Sequence, residues 1–534
     1  MTFWMIIRNS LRQHALSTAI TAVSIALATG LLMSIWAVKD QSMRAFTNVT
    51  GGYDAVMGSR GSELSLVLFS VFHMDKAPGT LPWEDLEFLT NNAANRRVVR
   101  YAVPMVVGDN FGGFRIVGTQ TNYFRLPQME LKRIARQYER TVEQIDDVLK
   151  ALRGKSEYNR TAPVLERVKG PLKEIIRLGQ EPGKETRQKL SRMSKLLEPV
   201  SKNLATLKLP DDKGESKAME FREKANREIL RLTREIEQLT SATTETGPVL
   251  TVHSGGRWFQ ATKQEAVIGS YAARVVEWVQ EKPDGTRVQR KGLRVGDVFR
   301  PVHGLNREGT IVHPADYLVV GILQPSNTPA DHVIWIPIKG AQNMPGHDAE
   351  KSTDISAILI KFKSARQGPI FADQVNKGTR DKSVAMIAVT VTRFFQRFEW
   401  LGVVLGAMAA MVALVGAGGI LASLYNTMNE RRREIAILRS LGARRGTVFG
   451  AIVLESTAIT TLGVLLGFVF YAGFLAAAAH LIQQETGVVI DPLESNLMLA
   501  AAPGGIIALG TLAGILPAMK AYRTDVAENL IPQS

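Results

Sequence analysis

Apolar residues in this chain gather into four long runs: Ala15 to Val38, Leu401 to Tyr425, Val448 to Ala479 and Leu497 to Met519. Each is close to or above the roughly 20 residues a helix needs to cross about 30 Å of hydrocarbon. The second run has no charge, the third has Glu455, and the fourth is uncharged but interrupted by Pro503, Gly504 and Gly505. Four transmembrane helices are expected. Arg8 and Arg12 before the first run would suit a signal peptide. However, that run is roughly twice a usual signal core and no small-x-small cleavage site follows, so a retained anchor is expected.

The long stretch between the first two runs alternates at shorter periods. "VVRYAVPMVVGDNFGGFRIVGT", from Val98, reads as a strand, a Gly/Asp/Asn turn and a second strand. Further strands are expected at Val249 to His253, Tyr317 to Leu323, His332 to Ile338 and Ile355 to Phe362, with turn signals such as "KPDGT" and "GGRW" between them. Short helices are expected near Trp83 to Asn91 and Pro369 to Asn376.

Within this body, residues 128–247 read differently. Leu131, Ile134, Tyr138, Val142, Ile145, Leu149 and Leu152 recur every three or four residues, as do Leu190, Met193, Leu197, Val200, Leu204 and Leu207. A third series is Ala225, Ile229, Leu232, Ile236 and Leu239, and a weaker helix around Val164 to Leu178 contains Pro171. Charged residues fill the gaps, which marks amphipathic, nearly heptad helices. "PGK" and "PDDKG" break them. An insert that interrupts a β body must return the chain near its starting point, so a helical hairpin or small antiparallel bundle is expected. Its stripes serve either to pack on one another or to dock another extracytoplasmic protein, and the pattern does not choose.

The fold class expected is therefore an α-helical membrane protein with four transmembrane helices plus a large α+β extracytoplasmic domain carrying a coiled-coil-like helical insert. The divisions are an amphipathic N-terminus (1–14), the first span (15–38), the core domain in two parts (39–127 and 248–397) around the insert (128–247), and the second span (398–425). A coupling helix and turn (426–447), the third span (448–479), an extracytoplasmic loop (480–496), the fourth span (497–519) and a tail (520–534) complete the chain.

Charge then sets an orientation. Arg8 and Arg12 precede the first span, Arg431, Arg432, Arg433, Arg439, Arg444 and Arg445 lie between the second and third, and Lys520 and Arg523 follow the fourth. The loop His480 to Asn496 has no lysine or arginine but has Glu485, Asp491 and Glu494. Basic flanks stay in the cytoplasm, which places both termini there and Lys39 to Arg397 outside. The chain has no cysteine. A domain this large can rely on its own core without disulfides, which fits a bacterial periplasm. The net charge of +15 sits largely in the cytoplasmic flanks and the insert, so nucleic acid is not an expected partner.

Catalytic motifs are missing from the sequence. "GQEPGKET" (Gly179 to Thr186) has three residues between its glycines and Glu185 after Lys184, whereas a phosphate loop needs four and a Ser or Thr. The histidines His14, His73, His253, His303, His313, His332, His347 and His480 show no His-x-x-x-His spacing. His303 and His313 flank a turn-like stretch and can approach each other, where satisfied polar contacts outweigh a metal. No serine lies in a Gly-x-Ser-x-Gly elbow. No catalytic residue, metal or cofactor is expected in this chain. Glu455 is the carboxylate inside a span, about 10 Å deep at 1.5 Å per residue. It is either a functional intramembrane acid or an interfacial partner for an arginine such as Arg445.

"NERRREIAILRSLGA", Asn429 to Ala443, places Ile435, Leu438 and Gly442 along one side of a helix, with Arg431, Arg432 and Glu434 mainly elsewhere. Gly442 supplies the stop. "RRREIAILRSLGARRGTVFGAIVLES" (Arg431 to Ser456) resembles the signature of FtsX-like ABC-transporter permeases, which include macrolide-exporter and lipoprotein-releasing subunits. "GILPAMKAYRTDVAENL" (Gly514 to Leu530) is similar to the closing pattern of that family, with Val526 where proline is usual. "EAVIGSYAA", "GLRVGDVF" and "YLVVGIL" resemble segments of its periplasmic core domain.

The resemblance implies a permease in the bacterial inner membrane that binds a separate cytoplasmic ATPase, pairs with a second permease copy, and leaves ATP and Mg²⁺ to the ATPase. A periplasmic adaptor or substrate protein and membrane lipids are the other partners expected. The helix between the second and third spans would dock into the ATPase through Glu434, Ile435, Ala436, Ile437, Leu438, Arg439, Leu441 and Gly442, with Phe3 to Leu11 as a secondary contact. Motion would pass through the spans as through a lever, aided by close packing at the small-residue run "GAMAAMVALVGAGG" (Gly406 to Gly419). The output would be export or extraction of a hydrophobic, peptide or lipid-like substrate. Alternatively, the chain would be a non-transporting regulator of a periplasmic hydrolase or sensor. The helical insert is not part of the usual core domain and leaves the substrate open.

Overall fold

The computed structural model describes residues 15–48, 52–153, 158–180, 189–190, 192–197, 199, 226–236, 239, 250–281, 285–305, 311–345, 353–364, 366–430, 439–440, 443–486 and 497–523. The chain divides into two compact units. One comprises Met1–Arg44, Phe394–Glu485 and Val489–Ser534; the other comprises Ala45–Arg393 with Thr486–Val488.

The second unit is built on a mixed sheet of ten strands. In chain order these are β1 (Ala55–Ser59), β2 (Val99–Phe111), β3 (Phe114–Thr119), β4 (Glu265–Ile268), β5 (Val298–Phe299), β6 (Val302–His303), β7 (Tyr317–Ile322), β8 (Ile334–Pro337), β9 (Ala357–Phe362) and β10 (Lys382–Met386). Across the sheet the order is β10-β1-β9-β2-β3-β8-β4-β7-β5, with β6 paired to β2. The β3/β8 and β4/β7 pairs are parallel and the others antiparallel. Gly112 (φ 58°) and Gly113 (φ 87°) turn the β2–β3 hairpin, a conformation that a β-carbon disfavours.

The expected hairpin and the strands at 317–323, 332–338 and 355–362 are present. Around Val252 there is instead an isolated bridge to Leu323. The three segments "EAVI", "VF" and "YLVVGI", far apart in sequence, become neighbours as β4, β5 and β7. Helices Trp83–Asn91 and Gln367–Gly378 pack Leu86, Leu89, Phe371 and Val375 against Ile358 and Ile360 of β9.

The insert opens with α1, Asn122–Leu152. Its first turn is part of the body: Tyr123 stacks on Trp335 with centroids 4.8 Å apart, and Phe124 on Trp258 at 4.2 Å. Glu130, nearly buried, takes Arg100 of β2 at 2.5 Å and Arg133 at 2.6 Å. Burial would raise its pKa, but the hydrogen bonds and charges of the two guanidiniums outweigh this and hold Glu130 below the usual carboxylate range.

Beyond this root, α1 packs against α2, Tyr158–Gln180. Lys169 pairs with Asp146 at 2.6 Å and Gln180 with Glu139, so the two helices run antiparallel. The apolar stripes bury one another: Leu131, Ile134, Tyr138, Ile145 and Leu152 share a core with Leu165, Leu172, Ile175, Leu190, Leu197, Ile229, Leu232 and Ile236. The helix expected to be weak is a full one of 23 residues that accommodates both Pro163 and Pro171. Leu165, Val168, Leu172, Ile175 and Leu178 along it are buried, and that packing outweighs the prolines' intrinsic preference.

Candidate functional site

The first unit holds the apolar helices α3 (Ala15–Asn48), α4 (Glu399–Glu430), α5 (Arg445–Thr486) and α6 (Leu497–Arg523). The candidate spans are Thr18–Gln41, Ile387–Asn426, Arg445–Gln483 and Leu499–Lys520. Their outward faces are apolar, with Leu16 77%, Val415 71%, Val469 70% and Leu516 63% exposed. Polar groups lie inside: Thr29, Ser456 and Thr460 are fully buried and Glu455 is 8% exposed. An apolar exterior around a partly polar interior is stable in lipid rather than in water.

Helix α5 makes close contacts on two faces. On one face, Gly463 and Gly467 lie one turn apart against α3, where a β-carbon would fall 2.7 Å from Ile25 Cβ and 2.8 Å from Thr29 Cβ. Gly30 of α3 returns the contact beneath Phe470. On another face, Ser456 and Thr460 of α5 sit directly over Gly514 and Gly510 of α6. Lipid gives helices no hydrophobic reason to associate, so such close approach and its dispersion contacts stabilise the bundle.

The hydroxyls do not become orphans. Ser456 donates to Val453 O (2.8 Å) and Thr460 to Ser456 O (2.7 Å), while Thr457 meets Thr511 across the seam at 3.1 Å. The small-residue run Gly406 to Gly419 of α4, expected to allow close helix packing, lies on a helix that packs along α6, but its glycines do not make the tightest contacts. Gly406 and Gly418 face open space, and a β-carbon at Gly416 meets Ile25 at 3.3 Å. The closest approaches lie between α5 and α6, where hydroxyl and glycine are matched across the seam, which composition alone does not reveal.

At the end of the bundle where α4 finishes and α5 begins, Lys520 Nζ of α6 lies 3.6 Å from the centre of the Tyr425 ring of α4. Arg445, which opens α5, lies 5.9 Å from the ring centre of Tyr522. Each such cation–π contact contributes about 0.5–2 kcal/mol. These residues tie the ends of α4, α5 and α6 together, a role that reading them as topology charges did not find. Tyrosines four or fewer residues from span ends were the available signal.

Of the expected coupling residues, Arg439 is described and half-buried. Glu434, Ile435, Ala436, Ile437, Leu438, Leu441 and Gly442 lie outside the described residues, as does Phe3 to Leu11. Glu455 is buried in α5 beside Ser456. In the other unit, His303 and His313 come together with ring centroids 5.5 Å apart, joined by Asp109, a residue the histidine spacing did not point to.

Residues 406–526, which contain most of α4, the hairpin, α5 and α6, match the family described as FtsX-like permease C-terminal. This region carries an FtsX-like permease C-terminal domain, and the relatives it matches are ABC-transporter permeases. The permease is similar to the macrolide export ATP-binding/permease protein MacB of Hyphomonas neptunium, 25% identical over 247 residues, or 43% of this chain and 36% of that protein. It is similar also to the pyoverdine export ATP-binding/permease protein PvdT of Pseudomonas syringae pv. syringae, 26% identical over 40% of this chain and 33% of that protein. An uncharacterized ABC transporter permease of Bacillus subtilis, YvrN, is 27% identical over 40% of this chain and 54% of its own length. The permease thus spans about a third of the length of the two export proteins. It is a membrane protein with four long apolar helices among the described residues.

Proposed function

We propose that this permease is the membrane subunit of an ABC transporter. In this reading it couples a separate cytoplasmic ATPase to the export or extraction of a hydrophobic, peptide or lipid-like substrate on the extracytoplasmic side. The observation that carries the reading is the FtsX-like match over residues 406–526, which brackets an arginine-rich hairpin between two helices tied at that end by Lys520–Tyr425 and Arg445–Tyr522 contacts.

ATP and Mg²⁺ are bound by the ATPase, and this chain supplies the lever. ATP-driven closure moves the hairpin, whose Glu434, Ile435, Ala436, Ile437, Leu438, Arg439, Leu441 and Gly442 form the docking surface. The tied ends of α4, α5 and α6 keep that motion from dissipating in local fraying. Two copies of the permease work together, both termini face the cytoplasm, and the β-rich unit stands in the periplasm, where an adaptor or substrate protein meets it. The named activities of MacB and PvdT as exporters support export over uptake.

A second reading rests on the helical insert, whose apolar stripes bury one another and leave charged residues outward. There the permease is a non-transporting regulator that relays ATPase motion to a periplasmic hydrolase or sensor. Ile435→Asp combined with Leu438→Asp is expected to abolish co-purification of the ATPase while the β-rich unit keeps its proteolytic resistance. Undiminished co-purification would remove the docking assignment. Cargo accumulation in cells lacking the permease separates export from regulation.

A further inference from the structure

Asp109, His303 and His313 form a cluster in the β-rich unit whose three ligand-capable atoms lie within 4.8 Å of one another. Each residue is held by backbone pairing rather than by a loose loop. The register of β2 against β3 shifts between Val107 and Asp109, and such an irregularity re-aims the side chains that follow it. β6 then pairs with β2 so that His303 stands opposite Asp109. Gly304 N donates to Gly108 O at 2.9 Å, and Asn110 Nδ2 donates to Gly304 O at 2.9 Å. His303 N donates to Ile311 O (2.8 Å) and His313 N to Pro301 O (2.9 Å), which places the two imidazoles on facing segments.

The proton inventory is the informative part. His313 is 1% exposed, and its Nδ1 lies 2.7 Å from Pro345 O. A carbonyl oxygen only accepts, so Nδ1 carries the hydrogen. In the neutral imidazole Nε2 then has a lone pair, and it faces Asp109 Oδ1 at 3.0 Å. Asp109 is 3% exposed, and the same oxygen lies 3.3 Å from His303 Nδ1. The Nε2 lone pair of a neutral His313 repels that carboxylate oxygen unless a cation, a metal ion or a proton, sits between them, whereas His303 Nδ1 meets the oxygen either as a donor or as a ligand.

Ligand atoms about 2.0 Å from a tetrahedral zinc are roughly 3.3 Å apart, close to the two measured separations. Ligating histidines commonly donate their other ring N–H to a backbone carbonyl, which fixes tautomer and ring orientation, as Pro345 does here. His303 is 51% exposed, so the cluster has an edge through which an ion enters and where water completes the shell.

We propose that Asp109, His303 and His313 bind one divalent transition-metal ion of the zinc type, tying β2 to β6 and to the backbone at His313. Two imidazoles and one carboxylate suit Zn²⁺, and the lack of thiolates disfavours Cu⁺. The full-length permease in detergent, with its purification tag removed, is stripped with EDTA, desalted and titrated with ZnSO₄. Zinc is then counted by mass spectrometry after a second desalting.

The wild type is expected to retain one zinc per chain and to gain thermal stability over the EDTA-treated form, since an ion that binds the folded state alone stabilises it. His303→Gln, at a half-exposed position, is expected to weaken zinc binding by more than the roughly 10- to 100-fold typical of outer-shell changes. Asp109→Asn should do the same, and His253→Gln, at an exposed histidine elsewhere in the unit, should leave binding unchanged. A wild type that retains no zinc, or zinc equally retained by His303→Gln, overturns the proposal and leaves an imidazolium–carboxylate pair. The wild-type thermal shift decides the matter even where a variant fails to fold.

Discussion

At the scale of the residue, burial of ionisable groups without full charge pairing gives the β-rich unit an acid-sensitive core. His73 is fully engulfed, with its ring edge-on to Trp335 at 5.3 Å. Desolvation, aided by the charge of Arg115, pushes its pKa from 6.5 down to about 3. His332, stacked on Tyr271 at 4.0 Å, is lowered by burial to about 4. Between these values and 6.5 the unfolded chain binds more protons than the folded one, so stability rises with pH there. Stability is therefore complete above about pH 6.5 and declines as pH falls toward 3 to 4, by up to roughly 1.4 kcal/mol per pH unit for each histidine. Melting temperature measured from pH 7 to pH 4 should show this fall. His73→Asn should flatten it, because asparagine tolerates the positive φ of 55° at this position. An unchanged pH profile in that variant would remove His73 from the account. In the sequence His73 is one of the histidines without metal-type spacing, and nothing local marks it further. The shift arises first from burial, to which Trp335, more than 250 positions away, contributes packing, and then from the charge of Arg115.

At the scale of the element, the apolar runs and the helical stripes were legible because period and length are local properties. Every member of the Leu131-to-Leu152 stripe is buried, as an amphipathic period requires. What period could not show is which face of which helix meets another. The run in α4 carries more small residues than the seam that is tightest, and the decisive pairs are Gly510 with Thr460 and Gly514 with Ser456. Gly510→Val drives a branched side chain into Thr460, and overpacking of this kind costs about 1–3 kcal/mol. The expected outcome is a lower melting temperature in detergent. Gly418→Val, where a β-carbon meets open space, should stay within about 0.5 kcal/mol of the native protein. Equal effects at the two positions would mean that the α5–α6 seam does not hold the bundle. The strands were less legible. β1 contains Gly58 and Ser59, which read as turn residues, yet it lies inside the sheet between β9 and β10. Its register is set by partners around Ile358 and Val384.

At the scale of the whole molecule, the proposed orientation puts the arginine hairpin in the cytoplasm and the β-rich unit across the membrane. The chain has no cysteine, so single replacements report sidedness without background. A membrane-impermeant maleimide should label Lys263→Cys in intact spheroplasts and Arg432→Cys only after the membrane is opened; the reverse pattern would invert the topology. The sequence by itself determined the apolar spans, their charge asymmetry, the insert's stripes and the likeness of its hairpin to a permease signature, because hydropathy, charge and period are written within a few turns of chain. Only the tertiary structure decided that Asp109 meets His303 and His313, that Tyr123 and Phe124 root the insert among Trp335 and Trp258, and that α5 sets its glycines and hydroxyls against α3 and α6. Those outcomes depend on pairing between residues tens to hundreds of positions apart, where the geometry of close packing, rather than any local preference, selects the partner.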